Sequence, residues 1–359
     1  MKLKKILAIS LALAMVVALA ACGQASVPAT SAPAASSAPA APAEQPAAPA
    51  EQPSEGDTYK IVIGHAGYLM EGGLHPYQQG VEKFSELVYE RTNGRITTEI
   101  HDSGKLGTER ELIEGVGLGT VDMAIVTSSP VTGFVPEFNI FEMPYIFTDS
   151  EHAFRVLDGD IGQELLAKLA DSNIKGLAFA ENGWRSFTNN RGPINSVSDL
   201  AGLKVRVMES PVHIATMEAF GAYPTVTSWG ETYTALQQGV CDAQENMMVG
   251  MYSVRLHEVQ KYLSMTNHFY TPSVMIMNLD LFNGMSEEDQ EIVMQAAREA
   301  AAYEREQSAV QQEMCLNKMV EEGLIVNEVK DIDSFKDAAK AVYERFSQYQ
   351  EWFDRIAAA

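Results

Sequence analysis

Leu203-Lys204-Val205-Arg206-Val207 lies inside a longer stretch that opens with Asn182-Gly183-Trp184-Arg185 and closes with Ala243-Gln244-Glu245-Asn246. Alternate positions of the pentapeptide are apolar, the two-residue period of a strand with one face on a core. Lys204 and Arg206 fall on the other face. A guanidinium is thus presented from a rigid strand, with Arg185 upstream, and two such cations suit capture of a carboxylate. The rest of the stretch reads as a helix over 211–220 stopped by Gly221, a strand over 223–227, and a helix over 230–238 stopped by Gly239. Strands alternating with helices predict an α/β lobe.

N-terminal to this stretch the same alternation recurs. Strands are expected over 59–66, 95–100, 121–127 and 174–180, and helices over 75–92, 108–118 and 151–171, the last broken at Gly159. Asn93-Gly94 ends the first helix, since both tolerate positive φ. Thr108 and Glu111 form a capping box at the start of the second. The segment 130–145 reads as irregular. A largely parallel sheet and a second lobe follow. A chain of 359 residues suits two lobes rather than one.

C-terminal to it, 261–268 and 273–279 read as two strands separated by Tyr270-Thr271-Pro272. Ser286 caps a helix running to about Glu322, with three acids in its first turn. At about 1.5 Å per residue it spans about 55 Å, enough to lie across both lobes. A short strand over 324–329 and a helix over 332–357 close the chain.

The first 22 residues read as a leader: Lys2, Lys4 and Lys5, an apolar run over 6–20, then Leu19-Ala20-Ala21-Cys22, a lipoprotein processing site with Cys22 as the lipidated residue. An ordinary secretory leader with an incidental cysteine is the alternative. Residues 23–58 hold seven of the 15 prolines and little apolar bulk, the composition of a disordered tether. The formal charge is −22; removing three lysines with the leader gives 23 − 48 = −25. Such a chain is a poor partner for nucleic acid, and it repels anions at long range, so an anion site must work through local arginine contacts. Cys241 and Cys315 read as separate buried thiols, with a disulfide between them outside the cell as the alternative.

Four pieces carry a family resemblance: His101-Asp102-Ser103-Gly104-Lys105-Leu106-Gly107 with Glu109-Arg110; Asn182-Gly183-Trp184-Arg185; Leu200 to Val207; and Tyr233 to Asn246. In order, over about 61–353, the chain resembles the solute-binding proteins of tripartite ATP-independent periplasmic (TRAP) transporters, of the C4-dicarboxylate-binding type. Ala243 stands where the family usually has Gly, and Met247 where Pro is common, which leaves the ligand open.

The resemblance implies an α/β, two-lobe periplasmic-binding-protein-like fold with a long helix spanning both lobes. On this reading lobe 1 is 59–181, completed by about 271–311, and lobe 2 is 182–270, completed by about 323–357. The implied ligand is a small organic acid, a sugar acid such as a uronate or a C4-dicarboxylate. Arg206 salt-bridges its carboxylate, Arg185 is a second cation, Asn246 donates an amide hydrogen bond, and Trp229 forms an aromatic wall. Glu109, His65 and Thr127 contribute from the first lobe. The implied partner is a TRAP membrane permease, with the lipid anchor holding the receptor outside the cytoplasm.

The residues taken singly have other readings. Arg206 on a strand suits a surface ion pair, Arg185 a guanidinium stacked on Trp184, Trp229 a core residue, and Asn246 a helix cap. Asp242 and Glu245 fall within one turn, with no nucleophile beside them. Gly115, Gly117 and Gly119 lack the spacing of a phosphate loop and read as close helix packing. Among the seven histidines the tightest grouping, His65 and His75, lacks metal-pair spacing. No catalytic residue, metal or cofactor is expected. A surface-anchored hydrolase of small acidic substrates is the competing class, and it would need an activated Ser or Cys beside a His.

Overall fold

The computed structural model describes residues 56–72 and 75–359. The leader, Cys22 and most of the tether lie outside them. In chain order the elements are β1 (Tyr59–His65), α1 (Pro76–Arg91), β2 (Ile96–His101), α2 (Glu109–Leu118), β3 (Met123–Thr127), α3 (Ser128–Val131), α4 (Ser150–Asp158) and α5 (Asp160–Lys168). They continue with β4 (Ile174–Asn189), β5 (Lys204–Val207), α6 (Pro211–Ala219), β6 (Tyr223–Val226), α7 (Thr232–Gln237), β7 (Ala243–Asn246) and α8 (Met248–Ser253). Last come β8 (Tyr262–Asn278), α9 (Leu279–Asn283), α10 (Glu287–Glu321), β9 (Ile325–Glu328), α11 (Ile332–Arg345) and α12 (Gln350–Ala357).

Local chemistry sets many boundaries as expected. Thr108 and Glu111 close a reciprocal capping box on α2. Asn93 and Gly94 both take positive φ after α1. The glycines of α2 are packing positions: Gly119 is its left-handed cap, and Gly117 lies against the Ser172 carbonyl.

The sheet is mixed rather than largely parallel, in the order β2-β1-β3-β8-β4-β7-β5-β6, with β9 beside β8. Pairs within each end are parallel (β1 with β2 and β3; β5 with β6 and β7), whereas the β4–β8 pair at the centre is antiparallel. The chain crosses from one lobe to the other along β4 and returns along β8, so the two crossings must oppose one another.

Both crossing strands are longer than expected. β4 continues from Ala180 through Arg185 to Asn189, and β8 is one strand straight through Tyr270-Thr271-Pro272. Pro272 is tolerated because it pairs with Glu181 at a β-bulge, where a ladder bond is not required. β7 is a strand where a turn was expected, so Asp242 and Glu245 do not share one. The C-terminal helix is broken: α11 ends at Arg345, a 3-10 turn covers Ser347–Tyr349, and α12 follows.

α10 runs 35 residues, about 52 Å, and packs against α1, β4 and α8, so it spans both lobes. Arg95 grips Asp289 near its start with two hydrogen bonds of 2.8 and 2.5 Å. Arg305 holds Asp158 of α4 at its middle. Further on, Gln312 accepts from the Val249 amide and donates to the Asn182 carbonyl, tying β4 to α8. One apolar core fills the space between α1, α10 and β1, around Phe84, Ile61 and Val293; another fills the far lobe around Val205, Phe220 and Phe335. Cys241 and Cys315 are buried free thiols. Among the described residues no helix is long and apolar enough to cross a membrane.

Candidate functional site

A cavity of about 370 Å³ opens where the carboxyl ends of β1, β3, β5, β6 and β7 converge. In α/β sheets this is where side chains and loop backbones are free to meet a ligand. The cavity brings together Glu109, Thr127, Arg185, Arg206, Trp229 and Asn246. Six of the seven residues expected at a ligand site thus line one space.

Arg206 is buried on β5. Its Nε and Nη2 donate to the Thr227 carbonyl at 3.1 and 2.8 Å. Its Nη1 is buried and has no partner among the described residues. Burial, with Arg185 nearby, lowers its pKa to about 10, so it stays charged at neutral pH. Trp229 sets its ring 5.7 Å from the guanidinium carbon. Arg206 is therefore no surface ion pair, and Trp229 lines the cavity half-buried.

Arg185 is also buried, but its charge is matched. Nε and Nη2 grip the Glu245 carboxylate at 2.6 and 3.0 Å, Nη2 also reaches the Glu245 carbonyl, and Nη1 donates to Asn182. It does not stack on Trp184. Neighbouring strand residues point to opposite faces, and Trp184 packs edge-on to Tyr270 instead. Burial pushes the Glu245 carboxyl up, but Arg185 and His213 together hold it far below the usual range. His213 extends the network by bonding Glu142 at 2.7 Å, and Glu142 accepts from Ser128 and Ser129.

On the other side, Glu109 begins α2 and Thr127 ends β3. The Thr127 amide and hydroxyl bind the two Glu109 oxygens at 2.8 and 2.7 Å. Burial raises the Glu109 pKa, and these two bonds oppose the rise. Asn246 accepts from the Met247 amide at 2.9 Å; the α8 cap is Met247, not Asn246.

His65 is not among the lining residues. It is buried behind the wall, bonded to Gln78 at 2.8 Å and stacked 6.3 Å from His75, and it is His75 that lines the cavity. Sequence reading missed His75, Tyr77 and Met208 as lining residues. Met208 directly follows the strand that carries Arg206, a positional signal that was available.

Residues 70–349 match the family DctP, described as bacterial extracellular solute-binding protein, family 7. The 2,3-diketo-L-gulonate-binding periplasmic protein YiaO of Escherichia coli (strain K12) is 38% identical over 257 residues, 72% of this chain and 78% of that protein. The crystal structure of a TRAP periplasmic solute binding protein from Polaromonas sp. JS666, bound to D-erythronate, superposes with a TM-score of 0.78 at 38% identity, over 84% of this chain and 98% of that one. One from Roseobacter denitrificans, with bound β-D-glucuronate, gives a TM-score of 0.79 at 30% identity, over 84% and 100%. These relatives bind solutes for transport and are not enzymes, which removes the hydrolase alternative. The chain belongs to the DctP family of bacterial extracellular solute-binding proteins and is a two-lobed solute-binding protein of the TRAP transporter type.

Proposed function

We propose that this protein captures a small organic acid by pairing its carboxylate with Arg206, closes about the β4–β8–α10 connection, and delivers the acid to a TRAP membrane permease. The observation that carries the reading is the buried Nη1 of Arg206, charged, unpartnered among the described residues and facing a cavity. An uncompensated buried cation is costly, and an entering carboxylate relieves that cost through a bidentate pair.

The two arginines have different roles. Arg185 spends four of its five N–H donors on Glu245 and Asn182, so it offers one donor and little net charge. Arg206 is the carboxylate anchor. Asn246 donates its amide to a ligand oxygen, and Trp229 packs on the carbon skeleton. Glu109 repels a second carboxylate and accepts from hydroxyls, favouring a polyhydroxy monoacid such as a uronate over a C4-dicarboxylate.

The lobes divide at 181/182, with the first completed by about 271–311 and the second by about 323–357. Cys22 carries the lipid that holds the receptor outside the cytoplasm, and Cys22→Ala releases it to the soluble fraction. A thermal-shift panel of uronates, aldonates, 2-oxoacids and C4-dicarboxylates tests the ligand reading, because a bound acid raises the melting temperature by mass action. A shift with sugar acids and not with neutral sugars is expected; equal shifts with both contradict arginine pairing.

A further inference from the structure

We infer that His75 is a ligand contact in this cavity: a fixed Nε2–H donor that gives its hydrogen to an acceptor oxygen of the bound acid. The proposal rests on the acid-binding reading above and adds to it a recognition point that the sequence did not disclose.

The tautomer is set by the chain itself. His75 caps α1, and its Nδ1 accepts the Tyr77 amide hydrogen at 3.2 Å. A ring nitrogen that accepts cannot also carry hydrogen, so in the neutral ring the proton is on Nε2. Burial holds the ring neutral, with a pKa of about 3. The ring cannot swing away. Tyr77 meets it edge-on at 5.1 Å, and His65 stacks on it at 6.3 Å. Gly67 lies directly against it: a Cβ there would come within 2.5 Å of Cε1 and 2.8 Å of Nε2. Gly67 lacks a side chain where the ring must fit, and both residues line the cavity.

The imidazole is buried, yet its Nε2 has no protein partner among the described residues. What little of the ring stays exposed faces the cavity, so an acceptor oxygen of the ligand can take the place of water on this N–H. The donor stays neutral and adds no charge, which suits a hydroxyl, ring or carbonyl oxygen.

The test is calorimetric titration of the full chain with D-glucuronate, D-galacturonate, D-erythronate, galactonate and succinate. The wild type is compared with His75→Ser, His75→Gln, Gly67→Ala and Arg206→Ala. Serine is a good helix cap, so His75→Ser keeps the start of α1 but loses the donor. It is expected to bind the preferred acid about tenfold more weakly. His75→Gln, whose amide donates at similar reach, recovers part of the loss. Gly67→Ala weakens binding with His75 still present, because the added methyl displaces the ring.

Wild-type affinity in His75→Ser, alongside lost binding in Arg206→Ala, overturns this inference and leaves the acid-binding reading standing. No heat from the wild type with any of the five acids overturns both. Should His75→Ser unfold, long-range proton–nitrogen spectra of the wild-type ring decide: an Nε2-protonated tautomer whose resonances move on ligand addition supports the inference, and unmoved resonances overturn it.

Discussion

Arg185 and Glu245, both buried, face one another across the β4–β7 pair, with Nε to carboxylate at 2.6 Å. The pair divides the labour of the site, because it cancels one of the two cavity arginines and leaves the other to the ligand. Removing one partner strands a buried charge. Glu245→Ala should destabilise the fold by about 3–5 kcal/mol, measured by urea unfolding. An unchanged midpoint would mean that water reaches Arg185.

Glu109 tests the choice between acids. Glu109→Gln keeps the shape of the side chain and removes a negative charge. Affinity for hydroxyl-rich monoacids should fall several-fold, and succinate affinity should rise. The ratio of the two Kd values, read by calorimetry, is the measurement. A ratio that does not move removes Glu109 from selection.

Two contacts bridge the cavity mouth between the segment at α2 and β3 and the loop after β5. Arg110 Nη1 lies 3.7 Å from Glu209 Oε2, and the Thr127 hydroxyl lies 4.0 Å from the Met208 sulfur. Exposed ion pairs contribute about 0.2–1 kcal/mol, so Glu209→Ala should speed ligand release by up to about fivefold, more so at low salt. Reversing both charges together, Arg110→Glu with Glu209→Arg, should restore the release rate in stopped-flow experiments.

Buried histidines make stability depend on pH. Burial lowers His75 and His268 from 6.5 to about 3. Each stays neutral in the fold while the unfolded chain takes up a proton. Their contribution is full above pH 6.5 and is lost as pH falls toward 3, at about 1.4 kcal/mol per pH unit for each. His213 is raised instead and is protonated in both states below 6.5, so it adds no slope in that window. His268→Gln should make the pH 5 to 6.5 dependence of urea stability shallower by about that amount.

Much of the frame was legible because it is written locally. The capping box at Thr108–Glu111, the stop at Asn93-Gly94 and the first-turn acids of α10 each announce an element within four residues. The alternation at Leu203 to Val207 placed Arg206 on a strand. What the sequence hid was long-range. Nothing local says that β8 passes through Pro272, because the bulge that tolerates it belongs to the partner strand β4. Glu245 looked like a loose acid because its partner, Arg185, is 60 residues away. His65 comes from the family resemblance alone, and the fold sets it behind the wall, bonded to Gln78, while His75, ten positions on at the start of α1, lines the cavity.

Arg206 carries the central claim. Calorimetric titration of the preferred acid into wild type and Arg206→Ala measures it directly. Loss of about 2–5 kcal/mol in binding, with the ligand-free fold intact, is the predicted result, since the variant leaves the ligand carboxylate without its buried partner. Equal affinity in the two proteins would contradict the assignment of the carboxylate to Arg206.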